Sequence, residues 1–300
     1  MQVTHNWHVL GAGAMGTLLC QRLRAADHAA VLVHHRSGST ERLLRDGSRS
    51  YRLRARPLKD VAPRSVSRLL LTTKAGQLEH ALALAVPYLR PDAVVATTAN
   101  GLGYETALSA RYPELRLYRA VSTAAAYRES SDTVIFAAEG QTRMGLMHTA
   151  TEAPAWFTDS LGRLAAWTWE CPIDQALGRK FALNCVINPL TATMRCRNGD
   201  LLHDGVANAE LSALCAETEP VLRNLGLWQG DGALLTEAVR VCAATANNQS
   251  SMLQDVLAGR ETEIAYLNAE LLRRTLRSDV ELPLNQMLCS RLGLSIYCKN

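Results

Sequence analysis

Long apolar runs are missing from this chain: stretches such as Ala81 to Val86 and Val121 to Ala126 are far shorter than the roughly 20 residues that cross a bilayer. Before the first strand, Met1 to Trp7 has neither the cationic head nor the apolar core of a secretory signal. The expectation is a soluble, cytoplasmic protein without membrane contact. No CxxC pair occurs, and no histidines stand at zinc-ligand spacing, so no metal centre is expected. The eight cysteines, at 20, 171, 185, 196, 215, 242, 289 and 298, are scattered and read as reduced, mostly buried thiols. Charge of one sign is also lacking. A net +4 is too weak to imply nucleic acid binding by itself. Internal repeats and low-complexity linkers are absent too.

What is present is enough apolar material for folding: 48% of 300 residues, a length that exceeds one core and predicts two domains. The first half alternates strand and helix signals. His8 to Leu10 leads through glycines into a helix over Thr17 to Ala26, then a strand over Ala30 to His34. Strands at Ser67 to Thr72, Ala93 to Thr97 and Leu117 to Val121 follow, separated by helices at Gln77 to Leu89 and Tyr104 to Ala110. This spacing predicts a parallel sheet with helices on both faces, a Rossmann-type doubly wound α/β domain. Thr133 to Ala137 and Thr142 to Gly145 are expected to extend it at its edge. Arg45, Arg49, Arg52, Arg54 and Arg56 crowd one segment, where the alternation of Tyr51 to Arg56 places the arginines on the solvent face of a strand. From Cys171-Pro172 onward the period turns helical, with helices predicted over 174–186, 208–225, 234–246, 251–257 and 261–277. Residues 1–170 are thus expected to form the dinucleotide-binding domain, and 171–300 an all-α substrate and catalytic domain.

Gly11-Ala12-Gly13-Ala14-Met15-Gly16 carries weight through its context, between the first strand and the first helix. Gly11 permits the tight turn, Gly13 lets backbone approach a pyrophosphate, and Gly16 lets helix pack on strand. The pyrophosphate then meets the free amides of the helix N-terminus. At the end of the second strand, an NAD enzyme offers an acid to the ribose hydroxyls. Here His34-His35-Arg36 offers none, and Arg36 suits a 2′-phosphate, so the predicted cofactor is NADPH/NADP+. Lys74, after Thr72-Thr73, and Asn100, before Gly101-Leu102-Gly103, fall at the carboxyl ends of strands where ligands bind. Whether those glycines serve a ligand or only the turn is open from spacing alone.

Lys180, Asn184 and Asn188 recur at four-residue steps among Phe181, Leu183, Cys185, Val186 and Ile187, which puts one cation and two amides on one face of an apolar helix. Core packing does not require that line; a small polar anion would fit it. Pro189 removes an amide and frees the carbonyl of Cys185. A second polar cluster comprises Asn247, Asn248 and Ser251 at a helix start and Glu263 at the next. Ser251-Met-Leu-Gln254 has capping-box spacing, and for Glu263 a favourable charge at a helix N-terminus is the alternative to a site role.

On these residues the chain resembles the ketopantoate reductase (2-dehydropantoate 2-reductase) family. The matching features are the glycine loop, Thr73-Lys74-Ala75, Asn100 to Gly103, the run Lys180 to Ala192, Asn248 to Asp255 and Thr262-Glu263-Ile264. The resemblance covers nearly the whole chain. It implies a Rossmann domain followed by an all-α domain like the C-terminal one of 6-phosphogluconate dehydrogenase. It also implies NADPH-dependent reduction of ketopantoate to pantoate on the route to pantothenate and coenzyme A. By the same resemblance Lys180 is the catalytic acid and Glu263 its partner. Asn100, Asn184, Asn188, Asn248 and Ser251 are substrate contacts, while Lys74, Arg36, Asn100 and Glu263 belong with the cofactor. A reductase of another small 2-oxo acid, or a non-catalytic NADP-sensing module, remains the alternative. Either a monomer or a homodimer is compatible.

Overall fold

The computed structural model describes residues 6–35, 40–229, 231–276 and 280–294. Short Leu- and Val-rich runs become strands because, buried on both faces, they need no polar alternation. In chain order the first unit contains β1 (Trp7–Leu10), α1 (Ala14–Ala25), β2 (Ala30–His34), β3 (Thr40–Asp46), β4 (Arg49–Pro57), β5 (Val66–Leu71), α2 (Ala75–Ala85), β6 (Leu89–Thr97) and α3 (Tyr104–Arg111). It continues with β7 (Leu117–Ser122), β8 (Ala125–Arg128), β9 (Thr133–Ala138), β10 (Thr142–Gly145), α4 (Ala155–Thr158) and β11 (Trp167–Trp169).

The sheet order is β11-β10-β7-β6-β5-β1-β2-β4-β3-β9-β8. Its centre, β2-β1-β5-β6-β7, is parallel throughout. The order reverses at β1, which pairs β2 on one side and β5 on the other, the switch point of a doubly wound sheet. The arginine segment forms β4, antiparallel to β3. Arg52, Arg54 and Arg56 are exposed while Leu53 and Ala55 are buried, as the alternation predicted. β9 and β10 extend the sheet on opposite flanks, on β3 and β7, and neither is outermost: β8 and β11 lie beyond them. β3, β8 and β11 were not anticipated, because they are short or carry charges on both faces.

The second unit contains α5 (Asp174–Met194), α6 (Asp200–His203), α7 (Gly205–Asn224), α8 (Leu234–Ala244), α9 (Ser251–Leu257), α10 (Asn268–Thr275) and α11 (Pro283–Arg291). Phe181, Val186, Leu190, Leu211, Leu214 and Leu222 lie in its core. Three expectations are corrected here. α5 does not stop at Val186 but runs through Pro189 to Met194. The helix predicted over 261–277 is broken into a 3-10 turn, Ile264–Tyr266, and α10, because the Tyr266 carbonyl accepts the Leu102 amide at 3.0 Å instead of continuing a helical ladder. The cap of α9 is Ser250, whose hydroxyl accepts the Leu253 amide at 3.1 Å; Ser251 is already the first helical residue. Two adjacent serines make that one-residue shift invisible in sequence.

The chain divides into two compact units, one of Met1–Ala99 with Tyr104–Ile173, the other of Asn100–Gly103 with Asp174–Asn300. The division lies three residues beyond the predicted 170/171 break and hands the loop after β6 to the helical unit. Among the described residues no helix is long and apolar enough to cross a membrane.

Cys20, Cys185, Cys215, Cys242 and Cys289 are buried, Cys171 and Cys196 half-buried, and all seven are free. Burial pushes the Cys20 and Cys242 thiols up to about 11 and those of Cys215 and Cys289 to about 12. Because the thiolate is the nucleophile, brief alkylation of a folded Cys298→Ser chain at pH 8 should label Cys171 and Cys196 and spare the other five. Mass mapping that finds Cys20 or Cys289 labelled before unfolding would contradict this burial.

Candidate active site

The loop after β1 is built by contacts that tolerate no side chain. Gly11 takes φ +124°, and a Cβ there would stand 2.7 Å from the Thr72 hydroxyl, which itself donates to the Gly11 carbonyl at 2.9 Å. A Cβ on Gly16 would collide with the Gly11 carbonyl. Gly13 differs: a Cβ there would meet nothing within 4 Å. Gly13 is also the N-cap of α1, with no side-chain cap and no acid in the first turn. The amides of Ala14, Met15 and Gly16 therefore lack helical acceptors beside open space, which suits an anion.

Two arginines that sequence reasoning missed hold this loop. Arg42 Nε and Arg128 Nη2 each donate to the Ala12 carbonyl at 2.9 Å. Arg42 is buried and pairs with Asp132 at 3.2 Å; Arg128 comes from edge strand β8. Both add positive potential next to the helix N-terminus. No sequence signal marks Arg42, an inward-facing cation inside a strand already crowded with charge.

At the end of β2, His34 is buried, and exposed His35 meets the His80 ring edge-on at 6.1 Å. Arg36, the expected 2′-phosphate ligand, lies outside the described residues. Lys74 is half-buried at the N-cap position of α2.

In the helical unit, Lys180, Asn184 and Asn188 form a half-buried line on α5 whose neighbours Phe181, Ala182, Cys185, Val186 and Ile187 are buried. One turn beyond Asn188, buried Thr191 pairs its hydroxyl with that of Ser250 at 2.7 Å, tying α5 to the cap of α9. This draws the half-buried Asn248 and exposed Ser251 to the α5 side of the unit. Asn198 joins them: its amide donates to the Asn248 carbonyl at 3.0 Å and its Nδ2 to Thr245 Oγ1 at 2.8 Å, while its Oδ1 is buried without a hydrogen-bond partner. No sequence pattern singled out Asn198.

Asn100 Nδ2 donates to Glu263 Oε2 at 3.0 Å, so these two expected site residues meet directly. Glu263 precedes the 3-10 turn without capping it. Gly101 and Gly103 have φ +79° and +98°, and Cβ atoms on them would strike Tyr266 and the Glu270 carboxylate. These glycines serve the turn and a close approach to the Ile264 to Glu270 segment.

A glycine turn that presents free helix amides at the switch point of a parallel sheet, joined in sequence to a helical unit with a lysine and asparagine face, defines a nicotinamide-dependent oxidoreductase. Within that class, residues 7–149 match the model of ketopantoate reductase PanE/ApbA and residues 172–294 that of its C-terminal part, and the chain belongs to this family. It is 31% identical over 285 residues to the 2-dehydropantoate 2-reductase of Vibrio cholerae serotype O1, covering 95% of each chain. The crystal structure of 2-dehydropantoate 2-reductase from Geobacter metallireducens GS-15 shares the fold, with a TM-score of 0.84 at 18% identity over 96% of this chain and 98% of that one. A ternary structure of D-mandelate dehydrogenase with NADH and anilino(oxo)acetate matches with a TM-score of 0.83 at 20% identity, covering 96% and 97% of the two chains.

The two glycines separate folding from binding. Gly16→Ala should destabilise the fold by about 1–3 kcal/mol or more through overpacking. Gly13→Ala should leave the melting temperature nearly unchanged while weakening dinucleotide affinity about tenfold or more. Calorimetry and cofactor titration of both variants check this, and unchanged affinity in Gly13→Ala would move the cofactor away from this loop.

Proposed function

We propose that the protein reduces 2-dehydropantoate (ketopantoate) to (R)-pantoate with NADPH, as a cytoplasmic step toward pantothenate and coenzyme A. The observation that carries this reading is the half-buried line Lys180, Asn184 and Asn188 on α5, in the same unit as the Asn100–Glu263 hydrogen bond.

Gly11, Ala12, Gly13, Ala14, Met15 and Gly16 hold the pyrophosphate, Arg36 the 2′-phosphate, and Lys74 the nicotinamide half of the cofactor. When bound, the nicotinamide supplies the hydride. Lys180 presents an ammonium to the ketone oxygen, stabilises the negative charge that develops there and donates the proton that completes the alcohol. Asn184, Asn188, Asn248 and Ser251 bind the substrate's carboxylate and hydroxyl, each amide placed at a fixed step along its element, and Asn198 supports Asn248 from behind. Glu263 orients the Asn100 amide and accepts from the substrate alcohol.

NADPH oxidation with ketopantoate, against a panel of other 2-oxo acids and with NADH as the control, tests the reading. Lys180→Ala should lower kcat about 100- to 10,000-fold, and near-wild-type turnover would remove Lys180 from the chemistry. Arg36→Ala should weaken NADPH about 10- to 150-fold, the worth of one charge-assisted bond, and leave NADH almost unaffected. Equal loss for both dinucleotides would refute the phosphate assignment.

A further inference from the structure

Pro189 has no amide, so the carbonyl of Cys185, four residues earlier in α5, has no helical donor. Cys185 is completely buried, which keeps water from serving instead. The donor comes from another helix: Asn268 Nδ2 donates to the Cys185 carbonyl at 2.9 Å and to Asn285 Oδ1 at 2.8 Å. Asn268 and Asn285 are both fully buried.

The orientation of these amides follows from the far end of the chain of bonds. Asn285 Nδ2 donates to Glu217 Oε1 at 2.9 Å and to Thr218 Oγ1 at 3.0 Å. The Glu217 carboxylate also accepts the backbone amides of Leu284 and Asn285 at 2.9 Å each. A carboxylate only accepts, so Asn285 must turn its NH2 to Glu217 and its oxygen to Asn268. Asn268 is left to present its NH2 to both Asn285 and Cys185, and its own Oδ1 is buried without a hydrogen-bond partner. A position needed only to fill space would avoid that unsatisfied oxygen with an apolar side chain. The group that must be kept here is the donor.

Its two ends reach both halves of the site. Cys185 adjoins Asn184 and lies five residues beyond Lys180, while Asn268 opens α10 five residues beyond Glu263. We propose that Asn268 is a positioning residue: by lending α5 the donor that Pro189 lacks, it fixes the helix face bearing Lys180 and Asn184 against the segment bearing Glu263. The proposal rests on the functional reading above, because it acts through those residues.

The test is a mutant cycle of wild type, Asn268→Ala, Pro189→Ala and the double variant, with kcat and KM measured for NADPH and ketopantoate. Wild-type turnover by itself decides the functional reading; the cycle decides the role of Asn268. In Asn268→Ala, kcat should fall about 10- to 100-fold, the scale of a misplaced reacting group, with KM for NADPH essentially unchanged. Pro189→Ala should keep kcat. In the double variant the alanine amide at 189 takes the Cys185 carbonyl, and kcat should return to within about threefold of Pro189→Ala. Wild-type kcat in Asn268→Ala, or an equal loss in both backgrounds, overturns the proposal. Should Asn268→Ala be insoluble alone, a soluble double variant with restored kcat carries the same support, and an insoluble or slow one overturns it.

Discussion

A buried peptide carbonyl has to be paired, and the helix that bears Lys180 contains one that its own ladder cannot pair. Leaving such a group unsatisfied costs about 1–3 kcal/mol, a sizeable share of the 5–15 kcal/mol that holds a domain together. The helical unit answers with a chain of side chains running from Glu217 on α7 through Asn285 on α11 and Asn268 on α10 to Cys185 on α5. Four helices are thereby indexed to one another by directed bonds, where hydrophobic packing alone would tolerate small slides and rotations. The same unit uses Thr191 and Ser250 to register α9 on α5 in a second place. Lys180, Asn184 and Asn188 project from a helix that is pinned near its middle and again near its C-terminal end.

The dinucleotide-binding unit is governed by sterics at one turn instead. Gly11, Gly16 and Thr72 approach so closely that two of the three loop glycines are fixed by the fold itself, and Gly13 is the one that leaves room. The loop is then held from outside by Arg42 and Arg128 on the Ala12 carbonyl. Those guanidinium groups do two things at once: they satisfy a carbonyl in a tight turn and place positive charge beside amides that already favour an anion. An anion arriving there would meet a preorganised field and need not reorganise flexible side chains.

The elements legible in sequence were those with one dominant signal. β2 was read to the residue because it is an apolar run; β10, after the Glu139-Gly140 turn, and α9, between Ser250 and Gly259, were read to the residue from the turn residues beside them. The α5 line was legible because three polar residues at four-residue steps conflict with the apolar residues around them. What escaped was whatever depends on a distant partner. The break of the final predicted helix is caused by Leu102 bonding Tyr266, more than 160 residues away in sequence. Asn198 and Arg42 matter through the backbone groups they touch, and nothing local to either announces it. Pro189 is the instructive mixed case: sequence alone identified the freed carbonyl, and only the structure supplied the asparagine that meets it.

The likeness in fold to both a 2-dehydropantoate 2-reductase and a D-mandelate dehydrogenase means that the backbone does not choose the substrate. That choice has to lie in side chains that can change without disturbing the core, and α5 is arranged to allow it. Its buried residues, Phe181, Ala182, Cys185, Val186, Ile187, Leu190 and Thr191, are distinct from the half-buried Asn184 and Asn188. Replacing either amide alters what the face can hydrogen-bond while leaving the helix's packing and its tie through Cys185 in place. A buried polar site rejects an analogue that leaves its groups unpaired far more strongly than an apolar pocket rejects a missing methylene. Under the function proposed above, selectivity among small 2-oxo acids would rest with Asn184, Asn188, Asn248 and Ser251, and Lys180 would contribute rate without choosing among them.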